Sequence, residues 1–534
     1  MVSPVFSMRG PALRRAGAQA IRHASGKAGA QSVAVIGAGI TGVTTARALA
    51  ERGFDVTVFD RHRMSAMETS FANGGQLSAS NAEVWNSFAT VLKGIKWMLQ
   101  SDAPLLVNPW PSWHKYSWMA EFISHIPDYR ANTLETVKLA IAARQLLLKH
   151  AETYGVDFNV EHRGILHFYK NASDFAAAEK VNELYTEGGL ERYAVSPEEM
   201  AKIEPSLDPS AYYGGFFTPS DFTGDIHRYT SGIARGIEKE GVTFRCGLDV
   251  GRVQRLTARD GKVDVTLGDP SSTFEGPTFY AGKGGAAEQE TLTFDNVVVC
   301  AGVRSRDLAS QLGDRVNIYP VKGYSITVNM NEEDEQSQAS APWVRVLSPS
   351  LACTPRLRLG LRLRLRLRLR LRLRLRLRLR LRLRPQLSPS ARVKQVSLLD
   401  DDAKIVTSRL GPRRFRIAGT AEFNGYNRDI RHDRIVPLVH WCNTHFPNLS
   451  TNDVTPWSGL RPMMPSMLPR IGAGVAPGVF YNTGHGHLGW TLSAATAEMV
   501  ADKVLEQQEL GHFGRTFTFA CNENKVLAAA LGKA

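Results

Sequence analysis

The 534-residue chain is 43% hydrophobic, enough for a large core and for two or three domains. Its formal net charge of +14 would suggest nucleic acid or an anionic membrane as partner, but residues 356–384 carry fourteen arginines and residues 1–30 five basic residues, neither with an acid. The remaining body is mildly acidic, which argues against a nucleic-acid partner, and no run of about 18 apolar residues predicts a membrane span.

Residues 1–30 are rich in Arg, Ala and Ser and lack an apolar signal core, the composition of a mitochondrial transit peptide, with 22–25 suited to matrix processing. The expected location is therefore the mitochondrial matrix or the matrix face of the inner membrane. A strand is predicted at Ser32–Ile36, then a glycine-rich turn, a helix over 41–52 and a strand at Asp55–Asp60, a βαβ opening. Helical segments carrying Trp85, Trp97, Trp110, Trp113 and Trp118 follow, a cluster expected in the core. A helix over 133–154 presents Leu134, Val137, Ile141 and Leu148 on one face and stops at Gly155. Strands are predicted at 164–169, 242–245, 263–267 and 296–300, with the polar stretch 268–290 as a surface loop. Further on come the Leu-Arg alternation, strands near 415–419 and 478–482, a turn at 484–489, a helix over 490–505 and a tail at 511–534. Extended, the alternation would put Leu on one face and Arg on the other, as a strand for a membrane or a polyanion would need. It reads instead as a low-complexity insertion over 347–394, in a surface loop whose closure entropy is small.

Five scattered cysteines with no C-x-x-C pair predict neither disulfides nor a metal site. The chemistry begins at Gly37, Gly39 and Gly42, a G-x-G-x-x-G between strand and helix. The first glycine permits a tight turn, the second lets a pyrophosphate approach the backbone, and the third lets helix pack on strand. Asp60 ends the second strand, placed to accept hydrogen bonds from an adenosine ribose, and Ala46 and Gly53 complete the packing. These residues predict a dinucleotide site and leave FAD and NAD both open.

Beyond Asp60, the run from Glu68 through Thr69, Ser70, Asn73 and Gly75 to Ser78 resembles the flavin-contacting segment of the D-amino-acid dehydrogenases, in the D-amino-acid oxidase-like FAD oxidoreductase superfamily. The likeness continues through TPSDFTGD (218–225), YPVKGYSI (319–326), AEF with GYN (421–427), WSGLRP (457–462) and NTGHGHLGWT (482–491). It spans about residues 31–510, broken by the Leu-Arg tract. The resemblance implies that Gly37, Gly39, Gly42 and Asp60 bind the ADP half of FAD and that Thr69, Ser70, Asn73 and Gly75 lie near the isoalloxazine. Gly484, Gly486 and Gly489 would offer backbone N–H groups to negative charge developing at the flavin N1–C2 end. Arg461 would anchor a substrate carboxylate through its planar guanidinium, with Tyr324 and Lys322 as softer candidates for the cavity wall. His485 reads as structural. Pro465-Ser466 stands where the family has Pro-Asp.

The expected fold is α/β, with a glutathione-reductase-like FAD-binding domain (31–80, 215–318 and 455–510) interleaved with an antiparallel-sheet substrate domain (81–214 and 319–454). The implied reaction is oxidative deamination of a D-amino acid by hydride transfer from Cα to flavin N5, on non-covalent FAD. Electrons would pass to a quinone or another carrier, with peripheral membrane contact in the case of a quinone. Two alternatives stay open: an oxygen-using oxidase of the sarcosine or glycine type, separated by hydrogen peroxide production, and a non-catalytic protein without flavin, separated by colour.

Overall fold

The strand Ser32–Ile36 (SVAVI) is aliphatic on both faces, as a strand covered on both sides of a parallel sheet must be. The computed structural model, which describes residues 29–97, 104–247, 252–268, 290–330 and 396–510, places it inside a six-stranded sheet. The order is Arg470–Ala473, Val479–Thr483, Asn296–Val299, Ser32–Ile36, Asp55–Asp60 and Thr243–Cys246, with only the first strand antiparallel. Helices Ile40–Glu51 and Gly489–Leu510 share one core with this sheet, through Val43, Ala46 and Leu49 on one and Ala494, Ala497 and Val504 on the other. Each fully buried aliphatic side chain here contributes roughly 1.5–3 kcal/mol, so a charged residue at Val35 would break the layer.

A nine-stranded sheet runs Val454–Met463, Tyr319–Asn329, Arg414–Phe423, Ile405–Arg409, Ser397–Asp400, Ile165–Tyr169, Gly214–Thr218 and Tyr193–Val195, with Leu105–Val107 beside Arg414–Phe423. It is mostly antiparallel, and its longest pairing joins Tyr319–Asn329 to Val454–Met463, in register Val321 to Arg461 and Gly323 to Gly459. Val454–Met463 therefore belongs to the larger sheet, although the sequence boundary at 455 had grouped it with the dinucleotide part. A third sheet of three antiparallel strands covers Val253–Arg259, Lys262–Leu267 and Thr291–Phe294.

Two local expectations change. The long helix spans Tyr129–Thr153, and of the four apolar positions expected on its face only Val137 is fully buried; small and polar side chains such as Thr133 and Ala140 occupy the contact instead. The tryptophans are not one core cluster. Trp118 is 3% exposed, whereas Trp110 and Trp113 are 77% and 84% exposed. The Leu-Arg tract, the N-terminal segment through residue 28, most of the 268–290 stretch and the tail at 511–534 lie outside the described residues. No helix among the described residues is long and apolar enough to cross a membrane.

Candidate active site

A cavity of about 380 Å³ follows the carboxyl ends of the parallel strands, where ligands of open α/β sheets bind. The glycine turn forms one end of it. Gly37 has φ +111°, and a Cβ there would lie 2.6 Å from the carbonyl oxygen of Cys300; a Cβ on Gly42 would lie 1.8 Å from the carbonyl oxygen of Gly37. Only glycines let strand, turn and helix approach this closely. Gly42 therefore acts through packing and does not line the cavity, whereas Gly37 and Gly39 do. Gly39 caps the helix Ile40–Glu51 without a side-chain hydrogen bond, so the positive end of the helix faces the cavity. Asp60 accepts hydrogen bonds from the amides of Ala38 (2.7 Å) and His62 (2.8 Å), and burial pushes its carboxyl above the ordinary value.

At the other end lie Gly484, Gly486 and Gly489, the last opening the helix Gly489–Leu510. Gly484 and Gly486 have φ +78° and +58°. Gly486 donates its N–H to the Pro462 carbonyl at 2.9 Å, which ties the turn to the strand bearing Arg461. Thr69, Ser70 and Asn73 line the wall between the two ends. Ser70 accepts the Ile40 amide at 3.0 Å and Thr69 donates to the Leu460 carbonyl at 3.0 Å. Gly75 stands back from the cavity: φ is +72°, its amide donates to Asn73 Oδ1 at 2.9 Å, and a Cβ would meet Ser408 Oγ at 2.9 Å. The residues present thus fit an extended dinucleotide, with a side-chain-free cradle at each end and a helix N-terminus at each cradle.

Arg461 lines the same cavity. Its guanidinium lies flat against Gly323, where a Cβ would be 2.4 Å from Cζ. No hydrogen bond or ion pair joins it to any other described residue, and burial brings its pKa down to about 10. Beside it His487 stacks on Trp85 at a ring separation of 4.8 Å and faces the Asn81 carbonyl at 3.2 Å; burial and the Arg461 charge lower its pKa to about 4. His485 sits on Thr496 Oγ1 at 3.0 Å, neutralised by burial with a pKa of about 3.

Lys322 and Tyr324 are placed elsewhere. Val321 pairs with Arg461, so strand alternation puts Lys322 and Tyr324 on the opposite face of the sheet. There Lys322, fully buried, reaches Glu422 (2.8 Å), Asn427 Oδ1 (2.7 Å) and the Asp429 carbonyl (3.0 Å), and the Tyr324 hydroxyl donates to Glu422 at 3.0 Å. Burial and the Glu422 carboxylate push the Tyr324 phenol up. The pair belongs to a buried ionic and hydrogen-bonded network and does not line the cavity. Ser466 keeps its loop hydrogen-bonded, its hydroxyl accepting the Leu468 amide at 3.4 Å.

Sequence reasoning assigned no role to a charged cluster on the cavity wall. Glu68 binds Arg61, His62 Nε2 (2.8 Å) and Arg428 Nη1 (2.6 Å). Burial alone would raise the Glu68 carboxyl, but the His62 hydrogen bond and the Arg61 and Arg428 charges hold it well below the usual carboxylate range. Arg428 comes from a segment 360 residues away, so no local pattern could have found it. Among the described residues no three His, Cys, Asp or Glu side chains gather as a metal site.

Residues 32–503 match the model of the FAD dependent oxidoreductase family, DAO. The chain belongs to that family. It is 52% identical over 472 residues to "D-amino acid dehydrogenase 3" of Mesorhizobium japonicum, covering 88% of this chain and 96% of that protein. It is 33% identical over 479 residues to the D-amino acid dehydrogenase of Paramagnetospirillum magneticum, covering 88% and 94%. The fold resembles glycine oxidase from Bacillus cereus (TM-score 0.56, 18% identity, 90% and 96% covered) and L-proline dehydrogenase from P. horikoshii (TM-score 0.57, 14% identity, 94% and 99% covered). The named relatives are bacterial, and this overturns both the mitochondrial location and the transit peptide expected from residues 1–30. An acid-free, Arg- and Ala-rich stretch is a composition that many basic segments share, and it does not by itself specify an address.

Proposed function

We propose that the chain is an FAD-dependent dehydrogenase that oxidatively deaminates D-amino acids. The observation that carries the substrate class is Arg461: a partly buried guanidinium on the wall of a dinucleotide cavity, lying flat on a glycine and paired with no described residue. A cation taken from water without a counter-ion is costly, and a ligand carboxylate is the group that would relieve it bidentately. Bound FAD would accept a hydride from the substrate Cα, leaving an imine that water hydrolyses to a keto acid and ammonia. Arg461 would fix the carboxylate and thereby the direction in which the Cα hydrogen points. Gly37, Gly39, Asp60 and the two helix N-termini would hold the dinucleotide, and Thr69, Ser70 and Asn73 would line its path. Non-covalent FAD is the reading we favour: the turn 484–489 brings no thiol to the cavity, and its two histidines are engaged elsewhere, His485 with Thr496 Oγ1 and His487 with the Asn81 carbonyl.

A quinone or other membrane-borne carrier is the acceptor we favour. Seven of the thirteen exposed large apolar side chains among the described residues fall within 88–123, including Phe88, Leu92 and Trp113, a distribution that suits peripheral contact with a lipid surface. Anaerobic bleaching of the bound flavin against D-amino acids, L-amino acids and N-methylglycines tests the substrate. Bleaching by D-amino acids is expected; bleaching only by L-enantiomers or N-methylglycines would overturn the reading. Acid precipitation should leave a colourless pellet, and aerobic turnover should yield little hydrogen peroxide.

A further inference from the structure

We propose that Arg428 and Glu68 form an ionic clasp across the rim of the cavity that sets how slowly the dinucleotide leaves. The inference rests on the reading that the cavity holds FAD. Both residues line the cavity, and their side chains are 28% and 31% exposed, so the pair borders both the cavity and solvent. The two halves come from segments 360 residues apart in the chain. Glu68 lies in the segment that runs from the ribose-binding strand to Thr69, where Arg61 and His62 grip its other carboxylate oxygen. Arg428 lies on the turn after the strand Arg414–Phe423 of the larger sheet, and its Nη1 meets Glu68 Oε2 at 2.6 Å.

The buried network below explains why that turn can present Arg428 outward. Lys322 holds Asn427 and Asp429, the residues on either side, and Ser458 Oγ donates to the carbonyl of Arg428 itself at 3.1 Å. The backbone of Arg428 is thus fixed from beneath while its side chain spans the rim. Lys322, which does not touch the cavity, gains a positioning role at one remove. Release of an extended dinucleotide requires the walls to part, and the clasp is the charged contact that must break. Because it is partly exposed, it should weaken with salt, as the Debye length shrinks from about 30 Å at 0.01 M to about 3 Å at 1 M.

The test is the rate of FAD release from the holoenzyme, read as flavin fluorescence after dilution, for wild type, Arg428→Ala, Glu68→Gln and the double variant. Each single variant is expected to release FAD about tenfold faster, since close charge pairs carry couplings of this size. The double variant should be no faster than either single one. Wild-type release should accelerate with salt, and release from Arg428→Ala should not. Arg428→Lys, which keeps the charge, should recover part of the retention and serves if the alanine variant fails to fold. Release from Arg428→Ala within twofold of wild type, effects that multiply in the double variant, or salt dependence that survives in Arg428→Ala would overturn the clasp. Wild-type protein that binds no FAD would instead overturn the cofactor reading, and the clasp with it.

Discussion

The strand pair Tyr319–Asn329 and Val454–Met463 carries a cation on each face, Lys322 fully buried and Arg461 partly buried, and the two are treated in opposite ways. Lys322 has a carboxylate, an amide oxygen and a carbonyl within 3.0 Å. Arg461, across the sheet, has the bare backbone of Gly323 and no acceptor among the described residues. Both bear the desolvation cost of a charge in low dielectric, but only the lysine recovers it within the protein. A family of folded states selected for stability alone would not keep the arginine in that condition. The contrast separates a structural ion pair from a charge that, on the proposed function, is held ready for a ligand.

The largest test breaks the arginine side. Arg461→Ala should lower kcat/KM for D-amino acids by roughly two to three decades, the effect of losing a desolvated charge-assisted pair worth about 2–5 kcal/mol. Arg461→Lys should restore only part, because an ammonium lacks the planar fork. The melting temperature of flavin-replete Arg461→Ala should hold or rise, since an uncompensated charge has been removed. Turnover within a few-fold of wild type would end the carboxylate-anchor assignment.

On the lysine side the signs reverse. Lys322→Met leaves Glu422 with the Tyr324 hydroxyl at 3.0 Å and the Arg431 guanidinium at 3.2 Å, and should cost about 3 kcal/mol of stability in urea or thermal melts. Lys322→Met with Glu422→Leu should recover most of that loss. A Lys322→Met protein as stable as wild type would show that the network is not the compensated pair its geometry describes.

A smaller effect links Arg461 to its neighbour. His487 has its pKa lowered to about 4, first by burial and then by the Arg461 charge. In Arg461→Met the positive charge is gone, protonation of the imidazole becomes easier, and the His487 pKa should move up in an NMR titration. An unchanged value would mean that the two side chains do not share the site. The least effect is expected from excising residues 355–385 and joining the ends. These residues lie outside the described ones, and the sheet pairs on both sides of them form among described residues. Flavin content and melting temperature should be nearly unchanged, since doubling a loop's length alters closure by only about 0.6 kcal/mol; loss of flavin would show that the insertion is part of the fold.

What could be read from sequence was local. The turn around Gly37, Gly39 and Gly42 is specified by sterics within a few residues, so strand, turn, helix and Asp60 all appear where the pattern put them. The cavity-lining position of Arg461 agrees with the resemblance of WSGLRP to a family segment. Lys322 and Tyr324 were misplaced because the likeness of YPVKGYSI to a family segment does not tell which face of the sheet a side chain takes. The face is fixed by the register Val321 to Arg461, a pairing of residues 140 positions apart. The roles of Glu68 and Arg428 are non-local for the same reason. Exposure of Trp110 and Trp113 ran against a rule that holds for residues with something to pack against.

The strand Ser32–Ile36 has its partners on one side at Asp55–Asp60 and on the other at Asn296–Val299, beyond which lies Val479–Thr483. During synthesis the opening βαβ unit therefore emerges with the inner edge of its first strand unpaired, and the strand that covers it is made some 236 residues later. At about 5–20 residues per second the nascent chain carries an aliphatic, uncovered edge for roughly 10–50 s, a window for misassociation that invites a chaperone. Flavin capture is later still, because Gly484 to Trp490 form one end of the cavity. Residues as far as Trp490 must be made before the cofactor has its whole site, so flavin can stabilise the assembled site but cannot guide the early folding.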